Sequence, residues 1–144
     1  MRFHLMEVTT LYIVSGCLAG LRCRYDGKDS ADERVINLVR EGRAVPVCPE
    51  QFGGLPTPRP SCEIVDGRVL NADGMDVSDN FLRGAEEAFK LVEMLGAEKA
   101  ILKSRSPSCG ISKIYDGTFS GNLVDGDGVF AAMLKKAGIE VENE

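Results

Sequence analysis

Leu11-Tyr-Ile-Val-Ser-Gly-Cys17 is a short run of apolar, β-forming residues that stops at a glycine and a cysteine. The run from Leu11 to Ser15 is too short for a helix and reads as a buried strand feeding a loop. The same pattern recurs twice. Ala44-Val-Pro-Val47 runs straight into Cys48-Pro49-Glu50, with Pro46 marking a sheet edge or strand end because it cannot donate to a ladder. Lys99-Ala-Ile-Leu-Lys103 ends in the segment Ser104 to Gly110, which carries Cys109. Helical patterns lie between. Ser30 and Glu33 form a capping box ahead of Val35, Ile36, Leu38 and Val39, and Gly42 stands where a C-terminal stop belongs. Ser78 or Asp76 caps a longer helix in which Phe81, Ala85, Phe89, Val92 and Leu95 recur at helical spacing until Gly96. A last helix, Val129 to Ala137, follows the glycine-rich loop Asp125-Gly-Asp-Gly128, and Ile139-Glu-Val141 is a closing strand.

Strands alternating with helices predict an α/β fold, a single Rossmann-like or flavodoxin-like three-layer domain over residues 1–144 with a mostly parallel sheet. Two interruptions stand out. Gly53-Gly-Leu-Pro-Thr-Pro-Arg-Pro60 cannot be a regular element, because its prolines lack donors. Glu63 to Leu70 reads as a small β-hairpin insertion around Asp66-Gly67.

In an open α/β sheet, ligands gather in the crevice outside the carboxyl ends of the strands. Cys17, Cys48 and Cys109 each follow a different predicted strand, so three loops would deliver three thiols to one rim. Gly16, Gly20 and Gly110 allow close backbone approach there, Pro49 and Pro107 stiffen two of the loops, and Lys103 and Arg105 beside Cys109, with Arg22 and Arg24 beside Cys23, favour thiolates. The chain has five cysteines and one histidine, His4, which points away from Ser–His–Asp or Cys–His catalysis and toward sulfur ligation. Paired Cys-x-x-Cys knuckles of structural zinc sites are absent, as is the tight cysteine run of ferredoxins. Three dispersed thiolates would instead complete three corners of a four-iron cluster and leave the fourth iron open as a Lewis acid for a soft sulfur atom. The competing reading is that these cysteines are small buried hydrophobes. Packing is the better reading of Cys62, whereas Cys23 can be a ligand, a persulfide carrier or a wall residue.

Other residues have both a chemical and a plain reading. Glu50, two residues after Cys48 in a segment read as non-helical, suits proton transfer if shielded from water; otherwise it is a solvated loop residue. Ser104, Ser106, Ser108 and Ser112 surround Cys109 and can serve as turn or capping residues. Arg59, between two prolines, can clamp a carbonyl or an anion, or simply cover apolar surface. The Asp125 to Gly128 loop is no phosphate loop, since its aspartates would repel phosphate and no Lys-Ser/Thr follows.

Composition narrows the field further. A chain of 144 residues with 44% hydrophobic and 27% charged residues can bury a core and is not wholly disordered. Its net charge of −5 argues against a generic polyanion binder, so tRNA gains no support from charge. No apolar run approaches the roughly 20 residues of a membrane span. Met1 to Thr10, with Arg2, His4 and Glu7, lacks the apolar stretch of a signal peptide, and a cytoplasmic protein is expected.

Taken together, Ser15-Gly-Cys-Leu-Ala-Gly20, Cys23-Arg-Tyr-Asp-Gly27, Cys48-Pro-Glu50, Gly53 to Pro60, Ser106-Pro-Ser-Cys-Gly110 and Tyr115-Asp-Gly-Thr-Phe119 closely resemble the DUF523 family, which includes the thiouracil desulfurases. The resemblance covers nearly the whole chain. It implies a small α/β domain holding a [4Fe-4S] cluster on Cys17, Cys48 and Cys109, with Glu50 and Ser106 as the catalytic pair. The implied reaction converts thiolated pyrimidines to uracil and hydrogen sulfide without net redox change. Cys62 departs from the family pattern, where proline or alanine is usual. The expected partner is a small thiolated pyrimidine, with Tyr25 or Phe119 as a stacking wall, no membrane, and a monomer or homodimer. The rival expectations are a sulfide or iron–sulfur trafficking module without hydrolytic activity, and a structural zinc protein.

Overall fold

The computed structural model describes residues 10–144; Arg2, His4 and Glu7 of the N-terminal reading lie outside the described residues. Four strands form the central sheet: β1 (Tyr12–Ser15), β2 (Ala44–Val47), β5 (Lys99–Leu102) and β8 (Glu140–Asn143), in the order β2-β1-β5-β8. Every pairing among them is parallel, Ile13 aligning with both Val45 and Ala100, and Ala100 with Val141. β2 is an edge strand, which is where Pro46 costs no ladder bond.

Side-chain alternation along these strands builds the three layers. Ile13, Ala100 and Leu102 face one way, into a core completed by Ala85, Ala88 and Val92 of α3 (Ser78–Leu95) and by Phe130, Ala131 and Leu134 of α4 (Val129–Lys136). Val14 and Ile101 face the other way and pack with Val35 and Leu38 of α1 (Glu33–Arg40). A one-residue slip in register would turn each set into the wrong layer. The parallel sheet flanked by helices is the architecture the alternation predicts.

The local signals were read less accurately. α1 is capped by Asp32, whose Oδ1 accepts from the Val35 amide at 3.1 Å, while Ser30 Oγ instead accepts from Arg24 at 2.7 Å. Neither Ser78 nor Asp76 caps α3. Ser78 Oγ accepts from the Val69 amide of the neighbouring hairpin, and Asp76 accepts from the Ser78 amide in a local turn. The predicted hairpin is β3 (Cys62–Val65) and β4 (Arg68–Asn71). A second hairpin, β6 (Lys113–Tyr115) with β7 (Leu123–Asp125), was not anticipated, because β7 is exposed throughout and carries no buried alternation. No helix among the described residues is long and apolar enough to cross a membrane.

Candidate metal centre

At the carboxyl end of β1 the chain turns through a short 3-10 helix, Gly16–Ala19, that carries Cys17. A Cβ on Gly16 would stand 3.2 Å from Cys23 Sγ and 3.4 Å from the Val47 carbonyl, so glycine lets this turn lie against both neighbouring loops. The turn ends at Gly20 in the left-handed conformation, φ 93°. β2 ends in Cys48, which is the N-cap of a one-turn helix, α2 (Pro49–Phe52). Glu50 therefore lies on a helical turn, correcting the non-helical reading: Pro49 at the first helical position is a start signal. α2 packs tightly on α3, as an added Cβ on Gly84 would fall 1.7 Å from the Pro49 carbonyl oxygen and one on Gly53 2.0 Å from that of Asn80.

These loops wall a cleft of about 850 Å³. All five cysteines line it and all are free thiols, four buried and Cys48 half-buried. Cys17, Cys48 and Cys109 lie close enough for the charge on one to act on the others. The Cys48 thiol donates to the Cys23 carbonyl at 3.7 Å, and the Cys23 thiol stands between those of Cys48 and Cys17, with its hydrogen bond directed to Cys17. Receiving that hydrogen bond, with Lys103 nearby, holds Cys17 below the ordinary thiol value against burial and the charges of Cys109 and Cys48. Donating it pushes Cys23 up to about 11, and the same cause, followed by burial, pushes Cys48 up further. Burial pushes Cys109 up to about 12, opposed by the Ser15 and Ser106 hydroxyls. Cys62, on β3, is also pushed up to about 12 by burial and by the charge of Glu50.

The polar group that sequence reasoning placed least well is Arg59. Its side chain is only 3% exposed, and its Nε donates to Glu50 Oε1 at 3.0 Å. Nη2 donates to the Cys23 carbonyl at 2.8 Å, and Nη1 to Thr57 Oγ1 at 2.8 Å and the Pro56 carbonyl at 3.2 Å. Of the two readings of Arg59, the clamp is the observed one, and it holds both a carbonyl and a carboxylate. Arg24 is committed elsewhere, to Asp26 and Ser30, and cannot serve as a free cation beside Cys23.

Ser106 Oγ accepts from the Ser108 and Cys109 amides, each at 3.1 Å, fixing the turn that presents Cys109. Ser15 Oγ accepts from the Lys103 amide at 2.8 Å, which ties the ends of β1 and β5 together under the cleft. Ser112 lies outside the cleft lining, and Ser108 Oγ is buried without a protein partner. Asn143, which sequence reasoning did not single out, holds the same loop from β8. Its Nδ2 donates to the carbonyls of Leu102 and Cys109 at 3.1 Å each, and its Oδ1 accepts from the Ile111 amide at 2.7 Å. Only the strand pairing could have flagged it, since an Asn near a chain end carries no motif.

Among the described residues no three His, Cys, Asp or Glu side chains surround a single ion. A mononuclear zinc site needs its sulfurs about 2.3 Å from one point. A polynuclear iron–sulfur cluster takes its thiolates on separate irons, and a cleft lined by mutually interacting cysteines fits that donor pattern.

Three comparisons bear on the same residues. The profile of the 2-thiouracil desulfurase family matches residues 12–144. The Bacillus subtilis (strain 168) protein YbbK is 42% identical over 144 residues, spanning 93% of this chain and 95% of its own. The solved structure of TudS, a [4Fe-4S]-dependent thiouracil desulfidase (DUF523Vcz), superposes with a TM-score of 0.89 at 44% identity, covering 94% of this chain and 91% of that one.

Proposed function

The chain belongs to the 2-thiouracil desulfurase family, and on that premise we propose that it removes sulfur from a thiolated pyrimidine of the 2-thiouracil, 4-thiouracil or thiouridine type. Water replaces the thiocarbonyl sulfur, the products are a uracil-type carbonyl and hydrogen sulfide, and no net oxidation occurs. The observation that carries this reading is one cleft in which Cys17, Cys48 and Cys109 meet a carboxylate held by a buried guanidinium.

We assign Cys17, Cys48 and Cys109 as the three protein ligands of a [4Fe-4S] cluster. When bound, a cluster with three protein ligands supplies an iron of Lewis-acid character with affinity for soft sulfur. The remaining work falls to the chain. Arg59 occupies Glu50 Oε1, and Oε2 has no protein partner among the described residues, so Glu50 can accept a proton from the attacking water there. Ser106 uses its oxygen lone pairs to accept the Ser108 and Cys109 amides, which leaves its hydroxyl proton to donate to substrate, water or the Cys109 sulfur. Cys23 lies between Cys17 and Cys48 as a wall residue, and Cys62 lines the same cleft within reach of the Glu50 charge.

Anaerobic reconstitution followed by incubation with 2-thiouracil tests the assignment. About four iron and four sulfide per chain are expected, with uracil formed over many turnovers. Glu50→Gln should retain iron and sulfide while losing about 100-fold or more in rate. A fully active variant overturns Glu50 as the base. A loaded wild-type protein that binds sulfide but releases no uracil establishes the trafficking module instead.

A further inference from the structure

At the lining of the same cleft, the loop between β6 and β7 is folded around a side chain from another hairpin. Glu63, on β3, is 8% exposed. Its Oε1 accepts from the amides of Gly117 at 3.0 Å and Phe119 at 3.1 Å, residues more than fifty positions along the chain. The loop is specified from within as well, through Asp116 Oδ1 accepting from the Thr118 amide at 2.9 Å and the Asp116 amide donating to the Asn122 carbonyl at 3.0 Å. It also lies directly on β3, since a Cβ on Gly117 would stand 2.8 Å from the Ile64 carbonyl oxygen.

The conformation thus held is an unusual one. Phe119 has φ 56°, a left-handed backbone that a bulky side chain rarely adopts and that persists only where surrounding contacts over-determine it. The residue is 39% exposed and lines the same cleft as Cys17, Cys48 and Cys109. The other aromatic expected as a wall, Tyr25, already has the Arg24 guanidinium 5.9 Å from its ring centre.

We infer that Glu63 is a positioning residue whose buried carboxylate pins the Asp116–Gly121 loop so that the Phe119 ring forms the wall on which the substrate's pyrimidine stacks. The inference rests on the desulfuration reading for the identity of the ring, and its test separates the two. The probe is uracil, which undergoes no turnover, titrated calorimetrically into the cluster-loaded protein. Phe119→Leu is expected to weaken uracil binding about tenfold, the range of one base–aromatic stack. Glu63→Ala should weaken it to a similar degree with unchanged iron content. Glu63→Gln, whose amide oxygen can accept the same two amides, should restore most of the loss. The Glu63→Ala/Phe119→Leu double variant should bind no more weakly than Phe119→Leu alone, because the carboxylate acts through the ring. Wild-type protein that binds uracil yet does not desulfurate 2-thiouracil refutes the function and leaves this inference standing. Uracil affinity within twofold of wild type in Phe119→Leu, additive losses in the double variant, or no uracil binding by the wild-type protein overturns it.

Discussion

Replacing Arg59 by Met asks how much of the site depends on one buried cation. Methionine preserves most of the apolar stem, so packing changes little and the loss is electrostatic. Arg59 and Glu50 have side chains 3% and 14% exposed, which places the pair well inside the regime where solvent screening is weak. Removing one member of such a pair leaves the other buried and unpaired, at a cost of about 3–5 kcal/mol. In a chain of this size that corresponds to a fall in Tm of roughly 10–17 °C. Urea unfolding followed by circular dichroism, under anaerobic conditions, measures the change directly. Adding Glu50→Gln to Arg59→Met removes the stranded charge and should recover a good part of the loss, whereas Arg59→Lys should fall between, because an ammonium cannot reproduce the fork that reaches Glu50, Thr57 and the Cys23 carbonyl together. If Arg59→Met lies within about 0.5 kcal/mol of wild type, the level of an ordinary surface substitution, the clamp does not hold the site. If the double variant is no more stable than the single, the cost lies in the lost bonds to Cys23 and Thr57, and the paired-charge argument is wrong.

Two further outcomes follow from the geometry. Gly84→Ala should destabilise by at least about 1–3 kcal/mol and lower desulfuration, because its Cβ would meet the Pro49 carbonyl at 1.7 Å and push α2, with Glu50, off α3; thermal unfolding and the turnover assay read the two effects separately. Cys62 gives a pH dependence. Its folded value, raised by burial from 9.0 to about 12, lies above that of the unfolded chain, so its contribution to stability is intact below pH 9 and is lost as pH rises toward 12. Cys62→Ala should therefore flatten the stability profile between those pH values relative to wild type, and parallel profiles would refute it.

The layered fold was legible because it is encoded redundantly. Ile13 and Val14, or Ile101 and Leu102, are adjacent apolar residues on opposite faces of a sheet covered on both sides, and such runs mean a buried parallel strand wherever they occur between helical patterns. The convergence of Cys17, Cys48 and Cys109 on one cleft was legible because each follows a strand of a parallel sheet, whereas the order β2-β1-β5 that sets their loops side by side was not. What was not legible depends on partners distant in sequence. Ser30 and Asp32 are both acceptable caps, and the choice between them was made by Arg24 taking the serine. Arg59 reads equally as surface cover or clamp until its proline-rich segment is folded across α2. Asn143 and Glu63 each serve loops 30 or more residues away, through backbone amides and carbonyls that leave no trace in residue identity.

The same distinction between chain and site applies to charge. The protein as a whole is acidic, with a net charge of −5. Yet the cleft presents a different balance. Gathering several cysteines beside Glu50 sets like charges against one another, and the charges of Cys48 and Cys109 act against ionisation of Cys17 as those of Cys48 and Glu50 act against that of Cys109. Cations placed among them work in the opposite direction: Lys103 on Cys17, and Arg59 on both Cys23 and Cys62. Arg59 is the more deeply buried of the two. Burial makes thiolates costly at Cys23, Cys62 and Cys109, and Arg59 works against that cost at the first two. Cys17 is the cysteine held below its ordinary thiol value, by the Cys23 hydrogen bond first and with Lys103 assisting, and it stands at the carboxyl end of the strand from which the fold itself is read.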